Sequence, residues 1–233
     1  EITRRSGKTD TLFLLGVDAR YKAPESAITA IKALEMTGAA FTVLYDEKPT
    51  GQQLEFLIGM TEETKNQMTD CAEQINAFKR VIVYDPSDAV LLKRVYGENG
   101  VELNVEVKTF TEFLYENLER IVPESEDRKA VYQDPFQLSR DLDEIQGPRS
   151  LVRRFRRLGE MLNNGKNTIW AGNILMAEWM PDVIKKVASN RIEDAVRVNA
   201  EEIITASVSE YVSLRSVDQN AVRILSIEDL IVG

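Results

Sequence analysis

Histidine is absent from this 233-residue chain, and cysteine occurs once, at Cys71. Zinc, iron–sulfur and most other transition-metal centres are built from thiolate and imidazole, and a single thiol cannot chelate one. A serine or cysteine nucleophile served by an imidazole base is excluded on the same ground. One cysteine makes no internal disulfide, which points to the reducing cytoplasm. Lys and Arg fall short of Asp and Glu, 29 against 38, for a net charge of −9. That is the wrong sign for a groove that displaces counterions from nucleic acid. No apolar run approaches about eighteen residues, so no membrane span is expected, and no secretory signal opens the chain. Glycine is too scattered to cradle a phosphate: Gly16 stands alone after the first apolar run, with no G-x-G-x-x-G or G-K-[ST] pattern.

What is present suits a globular fold. Hydrophobic residues make up 43% of the chain, enough for a packed core. Short apolar runs predict strands at 11–16, 41–45, 80–84 and 101–107, and again at 130–132, 167–171, 202–206 and 222–225. Between them the pattern predicts helices at 25–37, 61–77, 89–96, 111–120, 148–158, 181–199, 209–216 and 227–232. Pro24 opens the first helix, Ala27, Ile28, Ile31 and Leu34 form its apolar face, and Gly38 ends it. Residues 1–10 read as a linker or tail. The polar stretch 123–129 reads as a second linker, dividing an N-terminal lobe (11–122) from a C-terminal one (130–233). The lobes pair as an internal repeat: Val81-Ile82-Val83-Tyr84-Asp85-Pro86-Ser87-Asp88 aligns with Ile203-Ile204-Thr205-Ala206-Ser207-Val208-Ser209-Glu210. Thr111-Glu112-Phe113-Leu114 aligns with Ile227-Glu228-Asp229-Leu230. The expected fold is therefore α/β, two tandem Rossmann-like lobes with parallel sheets.

Several short motifs recur in order. Gly16-Val17 follows the first strand, Glu47-Lys48-Pro49-Thr50-Gly51 the second, and Asp85-Pro86-Ser87-Asp88 the third. The second half has Tyr132-Gln133-Asp134-Pro135-Phe136, Pro148-Arg149, Trp170-Ala171-Gly172 and Thr205-Ala206-Ser207-Val208-Ser209-Glu210. In this order they resemble the cysteine-rich CCG domain family of heterodisulfide reductase subunits and glycolate or lactate oxidase iron–sulfur subunits. The resemblance places Val17, Pro49, Thr50, Asp85, Asp88, Phe136, Trp170, Ala171, Ser207 and Glu210 where that family has cysteines. It implies an oxidoreductase relative whose clusters are lost, with no cofactor expected. The role implied is a non-catalytic pseudoenzyme, a structural or regulatory subunit docked on a protein partner in a redox complex. Trp170 and Phe136 would then fill the vacated space.

A different reading starts from the carboxylates. Asp85 and Asp88 follow a strand, where ligands bind in open α/β sheets. A cleft between the lobes could use Tyr84, Asp85, Asp88 and Asp134 to bind a small molecule or a divalent ion, as an enzyme of another class. The plainer role for Asp85 through Asp88 is a helix-capping turn. Arg153, Arg154, Arg156 and Arg157 form either a solvated helix face or an anion patch. Cys71 is a packed small residue or a redox thiol.

Overall fold

The computed structural model describes residues 9–122, 126–217 and 221–233. Residues 1–8 of the expected tail and 123–125 of the expected linker lie outside them. The first lobe runs β1 (Thr11–Leu14), α1 (Val17–Tyr21), α2 (Pro24–Met36), α3 (Gln52–Ile58), α4 (Glu62–Ile75), β2 (Arg80–Val83), α5 (Pro86–Val90), α6 (Tyr96–Glu98), β3 (Glu106–Thr109) and α7 (Phe110–Glu116). The second runs β4 (Lys129–Gln133), α8 (Gln146–Phe155), β5 (Arg157–Gly159), α9 (Ile174–Ala177), α10 (Pro181–Arg197), β6 (Glu202–Thr205), α11 (Val208–Arg215), β7 (Arg223–Ser226) and α12 (Ile227–Val232).

Each lobe carries its own all-parallel sheet. The first is ordered β1-β2-β3, the second β5-β4-β6-β7. Thr42 adds a single parallel bridge to Leu12, on the far side of β1 from β2. With that bridge counted, both sheets have the second-first-third-fourth order, so the two lobes share one topology. Local chemistry repeats with it. Thr109 caps α7 in a capping box with Glu112, and Ser226 caps α12 in a capping box with Asp229. Glu112 therefore corresponds to Asp229, one position later than the motif alignment places it.

The core explains where the elements differ from expectation. α2 buries Ala27, Ala30, Ile31 and Leu34, whereas Ile28 is 39% exposed. The second strand reduces to the Thr42 bridge, and the 101–107 strand moves to β3. The helix expected at 148–158 ends at Phe155. Arg156 turns extended because its guanidinium reaches buried Glu202 at 2.6 Å, and β5 follows. The strand expected at 167–171 does not form. Thr168 instead donates its hydroxyl to the Asp134 carbonyl at 2.9 Å, and the chain runs irregularly to α9.

One apolar cluster is common to both lobes. It packs Phe13, Tyr84 and Phe110 of the first with Tyr132, Phe155, Ile204 and Ile227 of the second. Phe13 stacks on Phe110 at 5.5 Å, and Tyr84 meets Phe110 edge-on at 5.3 Å. Two polar ties, one buried and one half-buried, cross the same boundary. The Tyr84 hydroxyl donates to Glu228, and Thr109 and Thr111 donate theirs to Glu144 at 2.7 and 2.5 Å.

Candidate functional site

Parallel sheets in this order open a crevice beyond the C-terminal ends of their first and third strands, where the connections diverge. In the first lobe that point lies between β1 and β2. The chain leaving β1 turns through Gly16, φ 82°, and any side chain there would collide with the Asp88 carboxyl. Asp85 caps α5, accepting from the Ser87 amide at 2.7 Å. Asp88 accepts the Thr50 hydroxyl. Glu47 accepts the Leu15 and Gly16 amides, both at 2.9 Å, and Arg20 stands 3.5 Å away. Asp18, half-buried, meets the Ser209 hydroxyl of the second lobe at 3.3 Å.

Burial raises the proton affinity of all four carboxyls, and at Asp85 and Asp88 the neighbouring carboxyls add to it. Burial pushes Asp85 up to about 6, with help from the charge of Asp18. Burial also pushes Asp88 well above the usual carboxylate range, and neighbouring Asp85 adds to it. Asp18 and Glu47 are raised by burial too. No group of three or more His, Cys, Asp or Glu among the described residues is arranged to hold a metal ion.

The second lobe repeats the plan with other residues. Ser207 caps α11, and Glu210 stands where Asp88 does. Glu210 accepts from the Ala171 amide at 3.2 Å, the Gln133 side chain at 3.1 Å and the Thr205 hydroxyl at 3.3 Å. Burial raises it to about 8. Arg191, buried, donates to the Gln133 carbonyl oxygen at 2.5 Å. The turns above the two carboxyls match: Thr50 precedes Gly51, φ 92°, and Ala171 precedes Gly172, φ 126°.

Between the lobes lies a cleft of about 590 Å³. Its apolar wall includes Phe56, Leu91, Phe136, Trp170 and Met176, and Gln52, Ser87, Gln137 and Asn173 supply polar groups. Two π-helical turns face it, Leu91–Val95 from the first lobe and Gln137–Asp141 from the second. Such turns insert an extra residue into the helical ladder and recur at functional sites. The Gln137 amide donates to the Ser87 hydroxyl at 3.0 Å, and the Ser87 backbone amide donates to Asp85 at 2.7 Å. The cleft wall is thus one residue away from the carboxyl cluster. Over the cleft lies α3, with no buried residue, between Gly51 and Gly59. Gly59 adopts φ 76°, ψ −164°, a conformation essentially confined to glycine. A larger depression, about 650 Å³, sits over helix ends beside Lys22, Tyr211 and Arg215, away from the strand ends.

The residues singled out from the sequence fall into separate places. Thr50, Asp85 and Asp88 converge in the first lobe, as Ala171, Ser207 and Glu210 do in the second. Val17 opens α1, and Pro49 is exposed. Phe136 and Trp170 are half-buried on the cleft wall rather than plugging a closed cavity. Tyr84 is held by Glu228, and Asp134 is buried against Arg149 and the Gly165 amide, 2.8 Å away. Neither lines the cleft. Cys71 is fully buried and its thiol is pushed up to about 12, chiefly by burial, which leaves it unreactive. The four arginines disperse: Arg153 and Arg154 are exposed, Arg156 is buried on Glu202, and Arg157 pairs with Asp127. Gln52, Ser87, Gln137 and Asn173 were not singled out from sequence. Neither π turn has a residue signature that would have drawn attention to them.

No family model matches the chain, and no curated protein matches it. Solved structures do. An aspartate racemase homologue from Pyrococcus horikoshii OT3 is 12% identical over 96% of both chains, with a TM-score of 0.39. The aspartate racemase of Picrophilus torridus is 9% identical over 96% of this chain and 91% of that one, TM-score 0.44. Glutamate racemase isoform RacE1 from Bacillus anthracis is 13% identical over 97% of this chain and 80% of that one, TM-score 0.43. These findings correct the resemblance to the cysteine-rich CCG domain family. The heterodisulfide-reductase relationship, the pseudoenzyme role and the reason to expect a redox-complex partner go with it. The motifs that carried it have local duties any duplicated α/β lobe requires. Gly16, Gly51 and Gly172 take positive φ, Pro86 begins α5, and Asp85 and Ser207 cap helices.

Proposed function

We propose that this protein binds a small organic molecule in the cleft between its lobes, and that Asp85, just behind Ser87 on the cleft wall, is the group placed to exchange a proton with it. The observation that carries this reading is the cleft itself. It combines an aromatic wall with several polar side chains at the strand ends of a parallel α/β fold, where such folds take ligands. Asp85, raised to about 6, can both hold and release a proton near neutrality. A divalent ion is not part of the proposal, because no ligand set for one exists among the described residues. Among the described residues, no helix is long and apolar enough to cross a membrane. We place the protein in the cytoplasm on the strength of its single, buried cysteine.

Trp170 reports on the cleft, and Trp179, 63% exposed, is the only other tryptophan. The test uses a Trp179→Phe protein and the neutral dye Nile red. Saturable dye emission with quenching of Trp170 is expected, and the double change Phe136→Ala, Trp170→Ala should weaken dye binding at least about tenfold. Dye binding that ignores the double change would remove the cleft as the site.

A further inference from the structure

We propose that the cleft selects planar heteroaromatic ligands that carry no negative charge. This rests on the cleft being the binding site, and it follows from which of its polar groups are already occupied.

The walls set the shape. Trp170, Phe136 and Phe56 present aromatic surface, on which a flat ring gains most contact. Three amides set the edge chemistry. Gln137 uses one N–H on Ser87 and keeps its carbonyl oxygen as a free acceptor. Asn173 spends its oxygen on the Met176 amide at 2.9 Å, which leaves its NH₂ as a free donor. Gln52 makes no side-chain hydrogen bond among the described residues, so it offers both. Donors and acceptors side by side suit a heterocycle or a carboxamide, whose edge alternates in the same way.

Charge decides the rest. Arg140 is the only cation among the described residues that line the cleft. Its guanidinium is committed to the Lys166 carbonyl at 2.8 Å and to the Thr168 carbonyl. Glu55 and Asp141 also line the cleft, and neither has an ion-pair partner among the described residues. Behind Ser87 stand Asp85 and Asp88. A carboxylate or phosphate entering here meets two lining carboxylates against the single charge of Arg140, so its lost hydration is met by net repulsion.

Matched pairs test this in the Trp179→Phe protein at low salt. Nicotinamide and adenosine should quench Trp170 saturably. Nicotinate and adenosine monophosphate should bind at least about tenfold more weakly, with the gap narrowing as salt rises. Glu55→Gln combined with Asp141→Asn should strengthen monophosphate binding by a larger factor than adenosine binding. Equal or tighter binding of the anionic members overturns the proposal. If Nile red reports the cleft but neither neutral compound quenches Trp170, the ligand class is wrong while the binding site stands. If Nile red also fails, the cleft reading falls and this proposal with it.

Discussion

Asp88 in the first lobe and Glu210 in the second occupy the same place in the same topology, yet their surroundings differ. Asp88 has one hydroxyl donor, from Thr50, and is pressed by Asp85, Glu47 and Asp18. Glu210 has three donors, from Ala171, Gln133 and Thr205, and feels the cation of Arg191. A buried carboxyl can be tolerated by keeping its proton or by being surrounded with donors. Burial pushes both upward: in the first lobe neighbouring carboxyls add to the push, and in the second the donors and Arg191 oppose it, leaving Glu210 at about 8. Only the first lobe gathers further carboxyls at this place, with Asp85, raised to about 6, bonded to the amide of Ser87 on the cleft wall.

The sharpest way to break this comparison is at the paired glycines. A side chain on Gly172 would meet the Ser213 Cβ at 2.5 Å, from a φ of 126°. On Gly51 it would meet the Met68 Cγ at 3.2 Å and the Thr64 carbonyl at 3.3 Å. Backbone strain of about 1–3 kcal/mol applies to both, and overpacking adds roughly 1–3 kcal/mol at Gly172. In urea unfolding, Gly172→Ala should therefore lose about 2–6 kcal/mol, clearly more than Gly51→Ala. Equal losses would mean the second turn is not the tighter one.

Next in size are the donors. Gln133→Leu strips a donor from Glu210 and the acceptor from Arg191, and should cost about 2–5 kcal/mol. Thr50→Val removes the hydroxyl that serves Asp88 and should cost about 1–3 kcal/mol. If the Thr50 change proves the more damaging, the donor-based account of the second lobe is wrong.

The smallest effect is the most diagnostic, because it separates the two carboxyls by pH. Both bind a proton more tightly in the folded protein than in the unfolded one. The stability each contributes is complete below its ordinary value and is lost as pH rises toward the folded value. Glu210→Gln should flatten the stability profile from about pH 4.5 to about 8, and no further, since Glu210 is raised to about 8. Asp88→Asn should flatten it from about pH 4 upward, since Asp88 is held well above its usual range. One proton amounts to about 1.4 kcal/mol per pH unit at most. Unfolding midpoints measured from pH 5 to 9 would show whether the Glu210→Gln curve stops diverging from the parent's near 8.

The architecture was legible because each lobe announces itself locally. Apolar runs at 80–84 and 202–206 gave strands, Pro24 and Pro181 opened helices, and the turn from Asp85 to Asp88 read as a cap, which Asp85 supplies. What failed depended on distant partners. Nothing near Arg156 shows that Glu202, forty-six residues on, will pull it out of a helix. The Trp170 strand is apolar enough to pair, but its neighbours are committed to Asp134 and Glu210. The carboxyl pair Asp85 and Asp88 was visible as a turn, and its crowding by Asp18 and Glu47 was not. The site therefore showed in outline, while its amides lay scattered, Gln52 in α3, Gln137 in a π turn and Asn173 capping α9, with no residue pattern to join them.

The apolar cluster shared by the lobes has a consequence for traffic. Swinging one lobe away from the other would bring Phe13, Phe110, Tyr132 and Ile227 into water and break the Tyr84 and Glu144 ties. The halves cannot open like a jaw without partly unfolding. Were the cleft to take a ligand, its passage would fall to α3, seven residues strung between two glycines with none of its own side chains buried. Doors of that size swing in nanoseconds to microseconds, whereas whole-domain rotations take microseconds to milliseconds. Occupant lifetime would accordingly be set by the walls it touches, not by the time the molecule needs to let it out.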